Sequence, residues 1–224
     1  MRAAQTDLTG RARLRDAAIE GFAAQGFDES LRTIAARAGV SAGLVRHHFG
    51  SKEALRAECD ATVLDRYRTL KVESLQAGPA NIFAAFPAAR GSGILLVYIL
   101  RSVREGGAAG REFIEALVAE ALTLTREAVD RGLVVPSRDE EARVRLLVYQ
   151  AVGALVVRMT MNPTTALDDF QAVTEQFYTD TMLPTLELFT EGLLTDRSYL
   201  EQYLQHAGSL HHPPAGPAGE TPPR

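Results

Sequence analysis

The chain has 224 residues, 46% of them hydrophobic and 23% charged, which is enough apolar surface for a real core and excludes a disordered or fibrous chain. A single cysteine, Cys59, excludes an internal disulfide and a cysteine-based zinc site, and fits a reducing cytoplasm. The formal net charge of −4 excludes a chain that is basic throughout, but residues 1–56 hold nine Arg and Lys against six Asp and Glu, and the remainder holds fifteen against twenty-two. A basic N-terminal module on an acidic body suits phosphate binding confined to one place. Met1 to Gly10 is polar and lacks the apolar stretch of a signal peptide, and the longest apolar run, Gly93 to Leu100, is far short of the roughly 20 residues of a membrane span. A cytoplasmic protein is expected.

Strand signals are nearly absent, and helical spacing recurs instead. A first helix is predicted from Thr9 to Gln25, with Leu14, Ala17, Ala18, Gly21 and Phe22 on one apolar face and Gly26 just past its end. Ser30 reads as the N-cap of a short helix, Leu31 to Ala38, stopped by Gly39. Ser41 reads as the N-cap of another, Ala42 to His48, with Val45 and Phe49 inward. Ser51 caps a long helix expected to end near Ser74, before Gly78-Pro79. Beyond it, helices are predicted at about 80–89, 92–104, 111–131, 139–159 and 168–191, with Pro184 kinking or breaking the last. A short amphipathic segment, Tyr199 to Gln205, precedes a tail from Gly208 that holds five of the ten prolines and is expected to be disordered.

The informative stretch is Leu31 to Leu55. Helix, tight turn on Gly39-Val40-Ser41, then a second short helix is the helix-turn-helix arrangement, whose second helix fits the major groove of DNA. Ser41 and Ser51 place hydroxyls and free amides at helix N-termini, and Arg46, His47, His48 and Lys52 gather donors around them. Catalytic constellations are missing: there is no H-E-x-x-H, G-x-S-x-G or phosphate-binding loop, so neither an enzyme nor a cofactor is expected. His47 and His48 point roughly 100° apart on a helix and do not share a metal. Cys59 reads as a small, partly buried hydrophobe, and Arg11, Arg13 and Arg15 read equally well as a solvated face or as phosphate contacts.

The run GVSAGLVRHHFGSKEAL, Gly39 to Leu55, resembles the recognition-helix signature of the tetracycline-repressor (TetR) family, as do Leu31-Arg32-Thr33-Ile34-Ala35-Ala36-Arg37-Ala38 and the Ala17-Ala18…Phe22…Gly26-Phe27 pattern upstream. LELFTEGLLTD, Leu186 to Asp196, is a softer likeness to the end of the last long helix in some members. The resemblance implies an all-α fold: a helix-turn-helix DNA-binding domain at 1–56, a larger helical ligand-binding and dimerisation bundle at 57–207, and a tail at 208–224. It implies a DNA-binding transcriptional regulator, a repressor that holds a pseudo-palindromic operator as a homodimer and is released by a small-molecule effector. An activator of the same fold, and an all-helical ligand carrier with a vestigial helix-turn-helix, are the alternatives.

Site roles follow the same resemblance. Ala42, Gly43 and Leu44 fall where the recognition helix starts and faces bases, with Gly43 allowing close approach. Ser41, His47, His48 and Lys52 fall at phosphate-contacting positions. Arg46 departs from the family's usual Tyr; arginine binds guanine bidentately or clamps phosphate. The long helices near 139–159 and 168–191 are the expected dimer elements, with Leu147, Ala151, Ala154 and Leu155 as one seam and Leu183, Leu186 and Leu193 as another. Candidate effector-pocket walls are Phe83, Phe86, Val97, Tyr98, Arg101, Phe113, Leu117, Tyr149, Met159 and Phe177, with Arg101 or Arg158 as a polar anchor.

Overall fold

A computed structural model of the chain describes residues 2–85, 92–162 and 167–210; of residues 2–9, 77–85, 92 and 208–210 only the backbone is described. The described residues are helices joined by turns: α1 (Arg2–Gln25), α2 (Leu31–Ala38), α3 (Ala42–Phe49), α4 (Lys52–Ala85), α5 (Ser92–Glu105), α6 (Gly107–Asp130), α7 (Glu140–Met161), α8 (Phe170–Thr190) and α9 (Ser198–Leu210). They divide into two compact units, Met1–Tyr178 and Thr179–Arg224, with α8 running through the boundary.

In the first unit, α1 packs on α2 and α3 and equally on α4 and α5. Leu14, Ala18 and Phe22 of α1 meet Ile34 and Ala35 of α2, Val45 and Phe49 of α3, and Leu55, Cys59 and Val63 of α4 in one buried cluster. The cluster continues without a break into Leu95, Tyr98, Phe113, Val118 and Val148 of the helices behind. Phe22, Phe27, Tyr98 and Phe113 form an aromatic chain with successive centroids 5.3, 5.3 and 5.8 Å apart. The three reading-head helices are therefore seated on the body by shared core, at roughly 1.5–3 kcal/mol for each large side chain removed from water.

Several expected helix boundaries change. The helix after Ser51 does not end near Ser74: α4 continues through Gly78 and Pro79 to Ala85, taking up the first residues of the separate helix expected at 80–89; the rest of that stretch, with Phe86, lies outside the described residues. A Gly-Pro pair biases a chain toward a turn, but helix propensity is a weak preference that packing overrides. Helix α8 continues through Pro184 without the break that was one of the two outcomes expected there, and α9 extends to Leu210, three residues into the expected tail; residues 211–224 lie outside the described set. The polar start also joins α1, which begins at Arg2 rather than Thr9.

Close backbone approach fixes two glycines. A Cβ on Gly93 would stand 1.8 Å from the Phe170 carbonyl oxygen, and one on Gly110 would stand 2.6 Å from that of Ser102. Neither obstacle is the flexible tip of a side chain, so a substitution must move a helix. Gly93→Ala is expected to destabilise the first unit by about 3 kcal/mol, read as a lowered denaturant midpoint in a circular-dichroism titration; a midpoint equal to wild type refutes the close packing of α5 on the start of α8.

Helix α7 alone among the described residues is long and apolar enough, by length and composition, to cross a membrane, which the expectation built on Gly93 to Leu100 passed over. Its apolar residues split between two faces. Val144, Val148 and Leu155 are buried against the body, while Leu146, Tyr149, Val157 and Met161 are 56%, 49%, 61% and 75% exposed.

Candidate nucleic-acid interface

The head is built by local signals. Ser30 accepts a hydrogen bond from Thr33 N at 3.1 Å and so caps α2, and Gly39 ends it at φ 68°, in the left-handed region that costs glycine nothing. Gly39 N bonds Ala36 O and Val40 N bonds Ala35 O, closing the turn. Only Ser41 then separates this turn from the first residue of α3. Val45 and Phe49 are buried one turn apart, which leaves Ala42, Gly43, Arg46 and His47, at i, i+1, i+4 and i+5, as an exposed opposite face.

All four residues of that face are among the candidate DNA-contacting residues. Arg46 is exposed and has no hydrogen bond or ion pair to a described residue. Gly43 is not needed by the fold: an added Cβ would meet nothing closer than Ser41 Oγ at 3.8 Å. Leu44 and Lys52 are half-buried beside the face. His48 is turned the other way, its Nε2 lying 3.6 Å from where a Cβ on Gly10 of α1 would stand. The structure therefore brings together Ser41, Ala42, Gly43, Arg46 and His47, and places His48 against α1.

The N-caps differ in a way the sequence did not reveal. Ser51 accepts from Ala54 N at 3.1 Å and caps α4 as expected. Ser41 takes the extended backbone of an N-cap, but its hydroxyl makes no capping bond. At the start of α3 the Leu44 amide is taken by Ser41 O at 3.0 Å, which leaves the Ser41 hydroxyl without a backbone partner and available to an anion. Ser30→Ala is expected to cost about 1 kcal/mol of stability and Ser41→Ala almost none, with the opposite ranking for DNA affinity; equal thermal shifts would show that Ser41 caps after all.

Long side chains hold the head in place. Arg11 pairs with Glu58 of α4, and that contact keeps the Glu58 carboxyl below its ordinary range. Arg13 Nη2 donates to Ala38 O at 2.8 Å at the end of α2. Arg15 lies beside Asp16, which also accepts from Arg66 Nη2 at 2.6 Å. Arg11 and Arg13 thus tie α1 to α4 and to α2, while Arg15 reaches only its chain neighbour Asp16.

Arg101 reaches from α5 to the end of α1, donating from Nε to Ala23 O at 3.0 Å and from Nη2 to Ala24 O at 2.6 Å. A cation on the last carbonyls of a helix satisfies groups the helix cannot. Arg56 of α4 donates to Asp60 at 3.0 Å and to Glu105 at 2.6 Å, and its guanidinium carbon stands 3.1 Å from the centre of the Phe27 ring. Tyr98 donates to the same Asp60 at 2.6 Å. Burial raises the Asp60 carboxyl above its usual value, against the opposing pull of Tyr98 and Arg56. Burial pushes the Cys59 thiol up to about 12, so it behaves as an inert core residue, wholly buried where partial burial was expected.

The expected pocket walls scatter. Val97, Tyr98, Phe113 and Leu117 are core, Arg101 is committed to α1, and Tyr149 is on the exposed face of α7. Met159 and Phe177 are half-buried. The Phe83 side chain and Phe86 lie outside the described set. Leu155, expected in a dimer seam, is 2% exposed and packs within the subunit, because it shares the inward face of α7 with Val144 and Val148. Among the described residues there is no group of three or more His, Cys, Asp or Glu arranged to hold a metal ion.

Residues 14–59 match the profile described as bacterial regulatory proteins of the tetR family, and residues 93–195 match the tetracyclin repressor-like C-terminal domain. The HTH-type transcriptional regulatory protein RaaS of Mycobacterium tuberculosis is 40% identical over 210 residues, covering 92% of this chain and 97% of that protein. The chain belongs to the TetR family. It is a ligand-responsive, DNA-binding transcriptional regulator of all-helical fold. Among solved structures, a TetR-family transcriptional regulator from Rhodococcus sp. shares the fold with a TM-score of 0.53 at 16% identity, covering 76% of this chain and 97% of that one. Thermus thermophilus FadR, a TetR-family repressor solved with lauroyl-CoA, gives a TM-score of 0.48 at 19% identity over 94% of this chain and all of that one.

Proposed function

We propose that this TetR-family regulator is a cytoplasmic repressor that binds a pseudo-palindromic operator as a homodimer, leaves it when a small effector binds, and acts by binding rather than catalysis. The observation that carries the DNA half is the outward face of α3: Ser41 with its hydroxyl unspent, Gly43 exposed with no tight neighbour, and Arg46 and His47 exposed on a helix whose other face is core. Arg46 then reads a base edge, Lys52 and Ser41 hold phosphates, and Ala42 and Leu44 lie along the groove. Residues 1–56 do the reading; residues 57–207 bind the effector and hold the dimer.

A recognition helix of eight residues reads few base pairs and needs a two-fold partner. The dimer reading is supported by exposed apolar surface that a lone soluble subunit has no reason to keep. On α7 this is the stripe Leu146, Tyr149, Val157 and Met161; in the second unit it includes Leu183, Phe189, Leu193 and Tyr203.

The test is a gel shift with the DNA flanking the protein's own gene, repeated across salt concentrations. A specific complex is expected, with log affinity falling linearly against log salt, and Lys52→Ala should flatten that slope by about one unit while weakening all sequences alike. No affinity for any duplex at low ionic strength would end the proposal. A reporter driven through the bound site should rise on deletion of the regulator; a fall would make it an activator.

A further inference from the structure

Where the head meets the body there is a cleft of about 600 Å³, within the roughly 300–1,000 Å³ of sites that take drug-sized molecules. Its apolar wall is aromatic: Phe22 and Phe27 from the end of α1 and the turn after it, and Phe113 from α6. Its polar lining is unbalanced, with five carboxylates, Asp28, Glu53, Asp60, Glu105 and Glu112, against Lys52 and Arg56. Asp60 and Glu105 are spent on Arg56, whereas Asp28 and Glu112 stand exposed at the mouth without an ion-pair partner among the described residues. Arg56 is itself incompletely satisfied: the residue is 9% exposed, and its buried Nη2 has no hydrogen-bond partner.

We propose that this cleft binds an aromatic organic cation that also carries a hydrogen-bond acceptor, and that its occupancy loosens the Arg56 knot. Aromatic faces and surplus carboxylates attract a flat cation together, and as the knot loosens an acceptor on the ligand answers the orphaned Nη2, which is closed to solvent at rest. The place matters as much as the chemistry. Arg56 joins α4 to the end of α5 through Glu105 and to the head through Phe27. A second cation beside it competes for those same carboxylates. Lys52 lines the same cleft one turn earlier on α4, so the ligand shares a wall with a proposed phosphate contact. The consequence for DNA rests on the operator-binding proposal; the binding site itself does not.

The test is fluorescence polarisation of full-length protein with rhodamine 6G, a cationic xanthene dye bearing ether and ester oxygens, and with fluorescein, an anionic dye on the same ring system. Saturable binding of rhodamine 6G is expected, at least ten-fold tighter than fluorescein. The double variant Asp28→Asn, Glu112→Gln should weaken it at least ten-fold. Ala109→Trp, which fills the cleft from an exposed wall position and keeps every carboxylate, should do the same. Thermal melts monitor folding, and if one variant fails to fold the other decides. No saturable binding of rhodamine 6G, equal affinity for fluorescein, or unchanged affinity in a folded variant overturns the proposal. The dye should also release operator DNA from the wild type and not from Ala109→Trp; release from both sinks the regulatory half. Failure of the gel shift without dye counts against operator binding alone and leaves the titration to judge the cleft.

Discussion

A Leu146→Glu, Val157→Glu variant is expected to be monomeric and to lose operator affinity by two orders of magnitude or more while keeping its fold. Both side chains lie on the outward stripe of α7, with Tyr149 between them and Met161 beyond, at spacings that keep one helical face. Gly153 sits on this stripe, and an added Cβ there would meet nothing within 4 Å. No contact inside the subunit asks for glycine at that position, whereas close approach of a partner helix does. In a two-fold interface each substitution appears twice, so two glutamates per chain place four carboxylates in one apolar contact. Loss of the partner removes the second reading head, whose tethering multiplies affinity by roughly 10²–10⁴. Sedimentation equilibrium and the gel shift check the two halves together. A variant that remains dimeric with native affinity moves the interface off α7.

Arg46→Ala is expected to lower affinity for the preferred operator roughly 10- to 100-fold and to erase discrimination at one base position of each half-site, with the salt slope little changed. The magnitude is that of a bidentate arginine–guanine pair, about 1–3 kcal/mol. The geometry permits it because Arg46 is exposed with no hydrogen bond or ion pair to a described residue, unlike Arg11, Arg13, Arg56 and Arg101, which are committed within the fold. Gly43→Leu is the companion: an added Cβ meets only Ser41 Oγ at an ordinary contact distance of 3.8 Å, so the exposed position accepts the larger side chain and the melt is unchanged while DNA binding falls. Competition binding against a panel of single-base operator variants separates the outcomes. Equal loss on every sequence would make Arg46 a phosphate clamp.

The head was legible because its signals are local. A serine that caps, eight residues, and a glycine at φ 68° define α2, and its observed ends, Leu31 and Ala38, are the predicted ones. Helix α3 runs one residue past its predicted end. The apolar spacing of Leu14, Ala18, Val45 and Phe49 foretold their burial for the same reason, since a helix forced to hide one face announces it every third or fourth residue.

What lies far apart in sequence was not legible. Arg101 and the carbonyls of Ala23 and Ala24 are almost eighty positions apart, and nothing in either segment declares the pairing. The cleft is assembled from three distant stretches. Residues picked as pocket walls fell into different surroundings, Tyr98 in the core, Tyr149 on an exposed face and Phe113 in the core and beside the cleft, because an apolar side chain carries the same signature whether it meets a ligand or its own fold. Tyr98 shows this: it is wholly buried, with its hydroxyl spent on Asp60.

By itself the sequence determined an all-helical chain with a basic helix-turn-helix at one end, since capping, helical period and local charge act over a few residues. Only the tertiary structure decided which arginines are free to meet DNA, which serine hydroxyl is unspent, and which side of α7 faces outward. Those are outcomes of competition between partners brought together by packing, and no short stretch of chain contains both competitors.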